Sequence, residues 1–362
     1  MGKATLLLLL AVNCQAYFDW EAYFGARPGP FFGPFYPAQN RRFYPTSPRE
    51  EYAPAPDPFL GSFYPDYPQE KAFTRGPYDS DQRTKSPKRD YQLEELVRKM
   101  READVDKAGP YDYEVDYGYP AGGRNDESDN DLFVNVNETL FKRPVYALLV
   151  NLVNRGVFQH DVCENERPLI GARREQLQTL LDTWTNTEVF KLAYEYMNNK
   201  GEEHSDSFEE LKEFLFDFWF GTYSRCSGRA QGSSGFEHVF TGEWKRGTVG
   251  GHHSWVTYYL AQKKGQINYY GYHSQRGKLT GTFQYDWNGF FKETGGFLFG
   301  TSPAFDFALF TVCSLTHSGK HGCQFYIDAV KLTVTSFTQS NVDLLQTFII
   351  TEKGNEKNNA YV

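Results

Sequence analysis

Two stretches of the 362-residue chain carry histidines on either side of a glycine-rich turn. His238 lies within Ser233–Glu243, and His253 lies within Gly250–Trp255. The glycines between residues 247 and 251 permit a turn that folds the second stretch back over the first. Because an imidazole gives or takes a proton near neutral pH, this pair predicts general acid–base chemistry.

A lysine further along the chain completes a set suited to RNA cleavage. Lys292 precedes the glycine pair Gly295-Gly296 and the segment Gly300–Pro303. In RNA transesterification one group removes the proton of the ribose 2′-hydroxyl, and a second group protonates the departing 5′-oxygen. The phosphorane between them carries extra negative charge, which a fixed cation stabilises. One histidine from each stretch, together with a fixed cation such as Lys292, could therefore carry this chemistry.

A metal site is the alternative that these residues leave open. His252 and His253 are adjacent, and with Glu237 or Glu243 they could ligate a divalent ion. The spacings match no zinc pattern, and the sequence contains no H-E-x-x-H helix, which disfavours a zinc enzyme. A structural role is the usual one for any single histidine among the eight in the chain.

The three stretches together resemble the EndoU family of XendoU-type, poly(U)-specific endoribonucleases. Ser233–Glu243 matches the family motif Ser-Ser-Gly-Phe-Glu-His-Val-Phe-x-Gly-Glu, with Thr241 at the variable position. Gly251–Trp255 resembles Gly-x-His-Asn-Trp, and Lys292 with Gly300–Pro303 resembles a lysine followed eight residues later by Gly-x-Ser-Pro. The segment from residue 218 to 225 resembles the family's Trp-Phe…Tyr-x-Arg helix end, and the likeness extends from about residue 132 to the C-terminus.

The resemblance implies a role for each matched residue. His253 is the expected base, His238 the expected acid and Lys292 the stabilising cation. Glu237 and Glu243 are expected to orient the histidines or to hold a divalent cation, usually Mn²⁺. The implied substrate is single-stranded, U-rich RNA rather than DNA, and the implied products are a 2′,3′-cyclic phosphate and a 5′-hydroxyl.

The resemblance also implies substrate-binding residues and shows where the chain departs from the family. Ser302, Thr333 and Phe337 are the expected substrate contacts, and the Phe337 ring keeps the stacking face of the family's tyrosine without its hydroxyl. Three departures concern the site itself: Ser254 replaces an asparagine, Gly296 replaces a residue that often carries a hydroxyl, and His252 replaces an apolar residue. The extra histidine could disturb or replace the base, and these changes bear on uridine preference more than on cleavage.

The N-terminal third has a different composition from the rest. Residues 1–16 contain a leucine run followed by Cys14-Gln15-Ala16, which predicts a signal peptide and a secreted protein. Residues 17–130 are rich in Pro, Gly, Tyr and Phe and predict a disordered region, apart from a short amphipathic helix near residues 91–105. Export makes the sequon at Asn137 a candidate glycosylation site. No later segment is long and apolar enough to predict a membrane span.

Four cysteines remain once Cys14 is removed, namely Cys163, Cys226, Cys313 and Cys323. An oxidising compartment permits disulfides, but four cysteines allow three pairings, and buried free thiols remain an alternative. Cys313 and Cys323 are close enough in sequence to close a short loop. The net charge of −8 disfavours a strong, non-specific nucleic-acid binder but is compatible with a local basic cleft.

Residues 131–362 predict an α+β domain, a helical first part followed by antiparallel sheets in a two-lobed, EndoU-like arrangement. Helices are expected near residues 140–152, 173–184, 188–199, 208–218 and 303–313. Strands are expected near residues 256–260, 267–272, 281–287, 322–329, 331–338 and 344–351, with 256–272 forming a hairpin.

Two rival functions remain at this stage. The first is a catalytically weak or silent RNA-binding protein on the same fold, which the three filled catalytic positions disfavour. The second is a structural protein whose aromatic and proline-rich tail is the active part. If the C-terminal domain is the enzyme, a monomeric chain that lacks residues 17–125 should still cleave RNA.

Overall fold

The structure is a computed structural model that describes residues 89–202, 204, 206–226, 230–319, 322–336 and 349–351. The predicted signal peptide, most of the predicted tail and Phe337 lie outside these residues. Among the described residues, no helix has the length and apolar character needed to cross a membrane.

Helices dominate the first half of the described chain. The helices are α1 (Tyr91–Ala103), α2 (Pro144–Asn154), α3 (Gly171–Thr185), α4 (Glu188–Lys200), α5 (Phe208–Phe220), α6 (Trp255–Lys263) and α7 (Pro303–Thr316), with a 3₁₀ turn at Glu138–Lys142. Capping side chains fix several starts: Ser207 accepts the Glu210 amide at α5, and Ser302 accepts the Phe305 amide at α7, where Pro303 follows. These helices confirm the predicted ones.

Strands dominate the second half, and the strands of the described residues form three sheets. The strands are β1 (Tyr113–Val115), β2 (Phe133–Val136), β3 (Glu243–Lys245), β4 (Thr248–Gly250), β5 (Ile267–Arg276), β6 (Thr280–Trp287), β7 (Phe290–Leu298), β8 (Cys323–Ile327), β9 (Val330–Thr335) and β10 (Ile349–Thr351). The largest sheet has the order β3-β4-β7-β6-β5, in which β4 and β7 are parallel and the other neighbours antiparallel. The antiparallel pair β1-β2 and the sheet β10-β9-β8 complete the set. The predicted α+β class is confirmed.

One predicted strand was wrong. Residues 256–260 belong to α6, in which the Tyr258 amide donates to the Ser254 carbonyl at 3.1 Å. The run Val-Thr-Tyr-Tyr favours a strand by residue preference. Burial overrides that preference, because Trp255 is buried and its indole N–H donates to the Thr301 carbonyl at 2.8 Å.

Ordered structure begins well before residue 131, where the sequence predicts the domain to start. α1 buries Leu93, Val97 and Met100 and packs on α4 and β8. β1 pairs with β2, and the Tyr113 hydroxyl donates to the Lys278 carbonyl at 2.8 Å. The helix predicted near residues 91–105 is confirmed. The disorder predicted for the rest of residues 17–130 does not hold beyond this helix up to residue 130, where the chain is held by β1 and by backbone hydrogen bonds to β5.

Short segments cover both edges of the five-stranded sheet. At β5 the Ala121 amide donates to the Tyr272 carbonyl at 2.8 Å, and the Glu127 amide donates to the Tyr270 carbonyl at 3.1 Å. At β3 the Trp244 amide donates to the His160 carbonyl at 2.7 Å. The backbone groups of both edge strands are therefore partly satisfied within the chain.

Two disulfides connect the cysteines, Cys163 with Cys226 and Cys313 with Cys323. The second closes the short loop that the sequence suggested, between the end of α7 and the start of β8. The first joins positions 63 residues apart and lies beside the stretch that carries His238. The alternative of free thiols is thereby excluded.

Candidate active site

A β-hairpin brings the two histidine-bearing stretches together. Arg246 and Gly247, both with positive φ, form the turn between β3 and β4. The chain that leaves β4 then runs back along the first stretch, so the His252 amide donates to the His238 carbonyl at 2.6 Å, and the His253 amide donates to the Val239 carbonyl at 2.7 Å. The fold-back predicted from the glycines is confirmed.

Two local features make this close approach possible. His238 lies in a single π-helical turn, Glu237–Thr241, which the Gly242 amide closes on the Glu237 carbonyl at 2.7 Å. Such turns occur frequently at functional sites. Gly251 has φ +60°, and a β-carbon there would lie 1.8 Å from the His238 carbonyl oxygen. Only glycine therefore fits between the two stretches.

His238 is held by a carboxylate. Its Nδ1 lies 2.8 Å from Oε1 of Glu243, and Ser233 donates to the other carboxylate oxygen at 2.6 Å. Arg225 binds the same Oε1, and its Nη1 lies 2.9 Å from Nδ1 of His238. We assign the ring proton of His238 to Nδ1, so that Nδ1 of His238 and Nη1 of Arg225 both donate to the Glu243 carboxylate. Nε2 of His238 is then left without a protein partner.

Burial and the Glu243 carboxylate shift the pKa of His238 in opposite directions. Burial lowers the pKa of His238, while the hydrogen bond and charge of Glu243 favour its protonated form. Burial alone would raise the pKa of Glu243, but His238 and Arg225 bring it below its usual range. Glu243 is therefore charged and favours the protonated form of His238, but burial outweighs this effect and the pKa of His238 stays below its usual value.

His253 has a backbone partner and no carboxylate among its hydrogen bonds. Its Nδ1 donates to the Gly296 carbonyl at 2.9 Å, which leaves Nε2 with a lone pair. Burial, followed by the charges of Lys292 and His238, holds the pKa of His253 well below its usual range. Its ring centroid lies 5.7 Å from that of His238. The neutral imidazole of His253 thus faces the imidazole of His238, which has the Glu243 carboxylate as a counter-charge.

Lys292 lies on β7 beside both histidines. Its Nζ donates to the Val249 carbonyl at 3.3 Å. Burial, followed by the charge of Arg225, lowers the pKa of Lys292 to about 8, and Lys292 in turn lowers the pKa of His238 and of His253. The exposed fractions of His238, His253 and Lys292 are 3, 5 and 8 %. The structure thus brings the three sequence-predicted catalytic residues together.

His252 points away from this group, into the core. Its ring stacks on Trp287 with centroids 4.5 Å apart, and its Nδ1 lies 2.9 Å from the Tyr285 hydroxyl. Its backbone is left-handed, with φ +66°, which turns consecutive side chains to different sides. Burial lowers the pKa of His252 to about 3, so the ring is neutral. His252 is a core residue and does not replace His253 beside His238.

Glu237 and Glu243 do not form a shared metal site. Glu243 is already bound by Arg225, His238 and Ser233. Glu237 is fully buried and accepts from the Ser234 hydroxyl at 2.7 Å, and burial raises its pKa well above the usual range. Within the described ranges no group of three or more potential ligands could hold an ion. The expectation that the two glutamates bind metal does not fit their contacts.

Ser302, Thr333 and the predicted glycosylation site Asn137 lie in different surroundings. The Ser302 hydroxyl caps α7 and is buried, and the Ser302 amide donates to Asp104 at 3.0 Å, so this side chain stabilises the helix. Thr333 is buried on β9, and its hydroxyl has no protein partner. Asn137 is exposed and caps the 3₁₀ turn, while its amide nitrogen donates to Asp112 at 2.7 Å.

One positioning residue of the site, Arg225, and one core partner of His252, Tyr285, escaped the sequence analysis. Arg225 was matched only as part of a helix end, yet it binds the carboxylate that holds His238. Tyr285 had no motif at all, and it partners His252. The Tyr-x-Arg match signalled Arg225, whereas only the pairing of β6 with β7, which sets Tyr285 opposite Lys292, could reveal Tyr285.

Comparison with known families gives one clear match. The family model described as Endoribonuclease XendoU matches residues 92–350. The solved structure of XendoU, a splicing-independent snoRNA-processing endoribonuclease, is similar with a TM-score of 0.62 and 27 % identity, and the match covers 74 % of this chain and 99 % of that one.

Curated relatives agree with this match. A uridylate-specific endoribonuclease of Mus musculus is 35 % identical over 222 residues, and one of Homo sapiens is 34 % identical over 258 residues. These matches cover 60 and 68 % of this chain but only 52 and 61 % of the relatives. A poly(U)-specific endoribonuclease of Xenopus tropicalis is 34 % identical over 64 % of this chain and 83 % of its own length. The chain thus spans little more than half of the mouse relative.

Proposed function

Because the chain belongs to the Endoribonuclease XendoU family, we propose that it is an endoribonuclease that cleaves single-stranded RNA at uridylates by transesterification. The observation that carries this proposal is the meeting of His238 and His253, with ring centroids 5.7 Å apart, beside the buried cation Lys292. These are the groups that attack by a 2′-hydroxyl requires. The names of the relatives, uridylate-specific and poly(U)-specific endoribonuclease, support the substrate.

His253 is the proposed base. Its Nδ1–H is bound to the Gly296 carbonyl, so Nε2 can accept the proton of the ribose 2′-hydroxyl. The depressed pKa keeps this imidazole neutral, as a base must be before reaction. The 2′-oxygen then forms the bond to phosphorus.

His238 is the proposed acid. When its Nε2 is protonated, the Glu243 carboxylate at 2.8 Å stabilises the charged ring, and Nε2 has no competing protein partner. The proton passes from Nε2 to the 5′-oxygen as the bond between that oxygen and phosphorus breaks. The products are a 2′,3′-cyclic phosphate and a 5′-hydroxyl, so no water is consumed.

Lys292 is the proposed stabiliser of the negative charge that develops on the phosphorane. It is preorganised on β7 and desolvated, and both conditions strengthen its field at the reacting phosphate. Arg225 holds the Glu243 carboxylate in place. Arg225 is therefore a positioning residue for the acid.

A Mn²⁺ requirement and uridine preference remain predictions within this proposal. Glu243 is bound by protein partners, whereas Glu237 accepts from Ser234 through one carboxylate oxygen and its Oε1 has no hydrogen-bond partner. The proposed steps use only the chain's own groups. The Phe337 ring, the expected stacking partner of the uracil, lies outside the described residues. Its contribution is tested by replacing it with leucine and comparing U with C at the scissile position.

The test uses a fluorescent DNA oligonucleotide that contains a single ribouridine. Cleavage 3′ to the ribouridine is expected, with a 2′,3′-cyclic phosphate end by mass spectrometry, and replacement by 2′-deoxyuridine should abolish it. The assay is run with Mn²⁺ and with a chelator. Tight binding of the oligonucleotide without cleavage in either condition would favour the rival function, a silent RNA-binding protein.

Export of the protein is a separate proposal, supported by the leucine run and the small residues of positions 1–16. Expression in a secretory cell line, followed by N-terminal sequencing of the protein in the medium, tests it. The mature chain is expected to begin at Tyr17. Retention of an intact leader inside the cell would contradict export, and the same sample reports whether Asn137 carries a glycan.

A further inference from the structure

The two disulfides differ in their access to solvent. Cys163 is exposed and Cys226 half-buried, whereas Cys313 and Cys323 are both fully buried. Exposed disulfides react with external thiols more readily than buried ones, and they are the ones commonly used for regulation. The Cys163–Cys226 bond is therefore open to reduction in the folded protein.

Cys226 directly follows Arg225, the residue that binds the carboxylate beside His238. The segment that carries both is attached upstream by the Tyr223 amide, which donates to the Ser233 carbonyl at 2.8 Å. Lys245 donates to the Arg225 carbonyl. The disulfide adds a covalent attachment one residue beyond the guanidinium that has to be held.

Cys163, at the other end of the bond, belongs to a firmly attached loop. The Val162 amide donates to the Trp244 carbonyl at 3.2 Å, and the Cys163 amide donates to Asp161 at 2.9 Å. Trp244 lies on β3, the strand that begins with Glu243. The disulfide therefore connects the segment of Arg225 to a loop that is hydrogen-bonded to β3, the strand that carries its carboxylate partner.

We propose that the Cys163–Cys226 disulfide positions Arg225 against Glu243 and His238, so that its reduction by a dithiol lowers RNA cleavage while the fold persists. This inference rests on the proposed function. A thiolate of the reductant attacks one sulfur of the disulfide, which releases one cysteine and forms a mixed disulfide with the other. The second thiol of the reductant then attacks the mixed disulfide and releases the second cysteine. Two electrons and two protons pass to the protein, which gains two thiols, and the reductant becomes a cyclic disulfide.

Reduction should act on kcat more than on KM. A small displacement of a positioned catalytic group costs up to about 100-fold in rate, so we expect a fall of about 10- to 100-fold. The groups that face His238 are Glu243, Arg225, Lys292 and His253, and the charge of Arg225 lowers the pKa of His238. Retreat of Arg225 should therefore move the His238 limb of the pH–rate profile to higher pH.

The experiment treats the full chain with dithiothreitol and traps free thiols with iodoacetamide. Mass spectrometry should find Cys163 and Cys226 alkylated and Cys313 and Cys323 protected, while circular dichroism remains native. The kcat for cleavage of the ribouridine oligonucleotide should fall by about 10- to 100-fold. It should recover when a reduced sample that was not alkylated is reoxidised. In Arg225→Lys, which starts from a lower kcat, the same treatment should have little further effect.

The outcomes separate the two proposals. An oxidised protein that cleaves no RNA contradicts the proposed function itself. A native-like protein with both cysteines alkylated that cleaves at the oxidised rate overturns the inference and leaves the function intact. If reduction unfolds the chain, the double variant Cys163→Ser/Cys226→Ser decides. A folded double variant with a low kcat, which Arg225→Lys does not lower further, supports the positioning role of the disulfide. A double variant with wild-type kcat, or one that does not fold, overturns the inference.

Discussion

Two polar clusters lie on either side of the backbone that crosses from β4 to α6, and they are buried to a similar degree. On one side are His238, His253 and Lys292, with Glu243 as a counter-charge. On the other side His252 lies among Trp287, Tyr258 and Tyr285. His252 and His253 are both neutral, but the first cluster also holds the charged groups Glu243 and Lys292, whereas His252 has only aromatic partners. Neighbouring histidines thus differ because of what surrounds them, and burial alone does not identify a catalytic residue.

The largest expected effect comes from the base. His253→Ala should reduce kcat/KM by about 10²–10⁴-fold, the usual contribution of general acid–base catalysis, with little loss of folding stability. Cleavage of the ribouridine oligonucleotide and a thermal melt measure the two quantities. If His253→Ala keeps its activity and His252→Ala loses it in a folded protein, the comparison between the clusters is reversed.

Removal of the cation should cost somewhat less. Lys292→Ala is expected to lower kcat by about 10²–10³-fold, because a preorganised stabiliser of the developing charge is lost. Lys264→Ala, which removes an exposed lysine from the turn after α6, is the matched control and should be neutral. Equal losses in both variants would indicate that general electrostatic attraction of RNA, and not local stabilisation, explains the effect.

On the core side the expected effect is on stability. His252→Ala should lower the free energy of unfolding by about 2–4 kcal/mol, because the stacking on Trp287 and the bond to Tyr285 are lost and a cavity remains. Chemical denaturation measures this. His252→Asn should cost less, since asparagine tolerates the left-handed backbone at φ +66°. A larger loss in the asparagine variant would argue against the backbone explanation.

The smallest effect is on pH dependence, and it differs between the clusters. Deprotonation of Lys292 near its pKa of about 8 should steepen the fall of kcat/KM above that pH, and Lys292→Arg should remove the steepening.

His252 has a pKa of about 3 in the folded chain, far below its unfolded value of about 6.5, so it binds a proton only in the unfolded state between these values. Stability is therefore complete above about pH 6.5 and falls towards pH 3, and His252→Asn should flatten that fall in pH-dependent melts.

The sequence predicted the elements whose signals are local and missed those that depend on packing. Ser207 with Glu210 and the proline at position 303 predicted two helix starts, and α5 and α7 begin there. The three catalytic positions followed from the motifs. Ser302 was matched from the motif as a substrate contact, and its capping of α7 was not foreseen. α6 was missed because Val256 and Tyr258 favour strands in isolation, and the role of Arg225 was missed because its partner Glu243 lies on a different element. Contacts of that kind follow from the tertiary fold and not from local spacing.

The cover that residues 119–127 provide over β5 determines where the chain can be shortened. A truncation that removes residues 17–125 would delete α1 and β1 and remove the partners of the Tyr272 backbone amide and carbonyl on β5. An unprotected strand edge recruits a second copy of the chain and promotes self-association. A soluble catalytic fragment therefore has to retain residue 89 onward, and insolubility of a shorter fragment says nothing about whether the enzyme needs its tail.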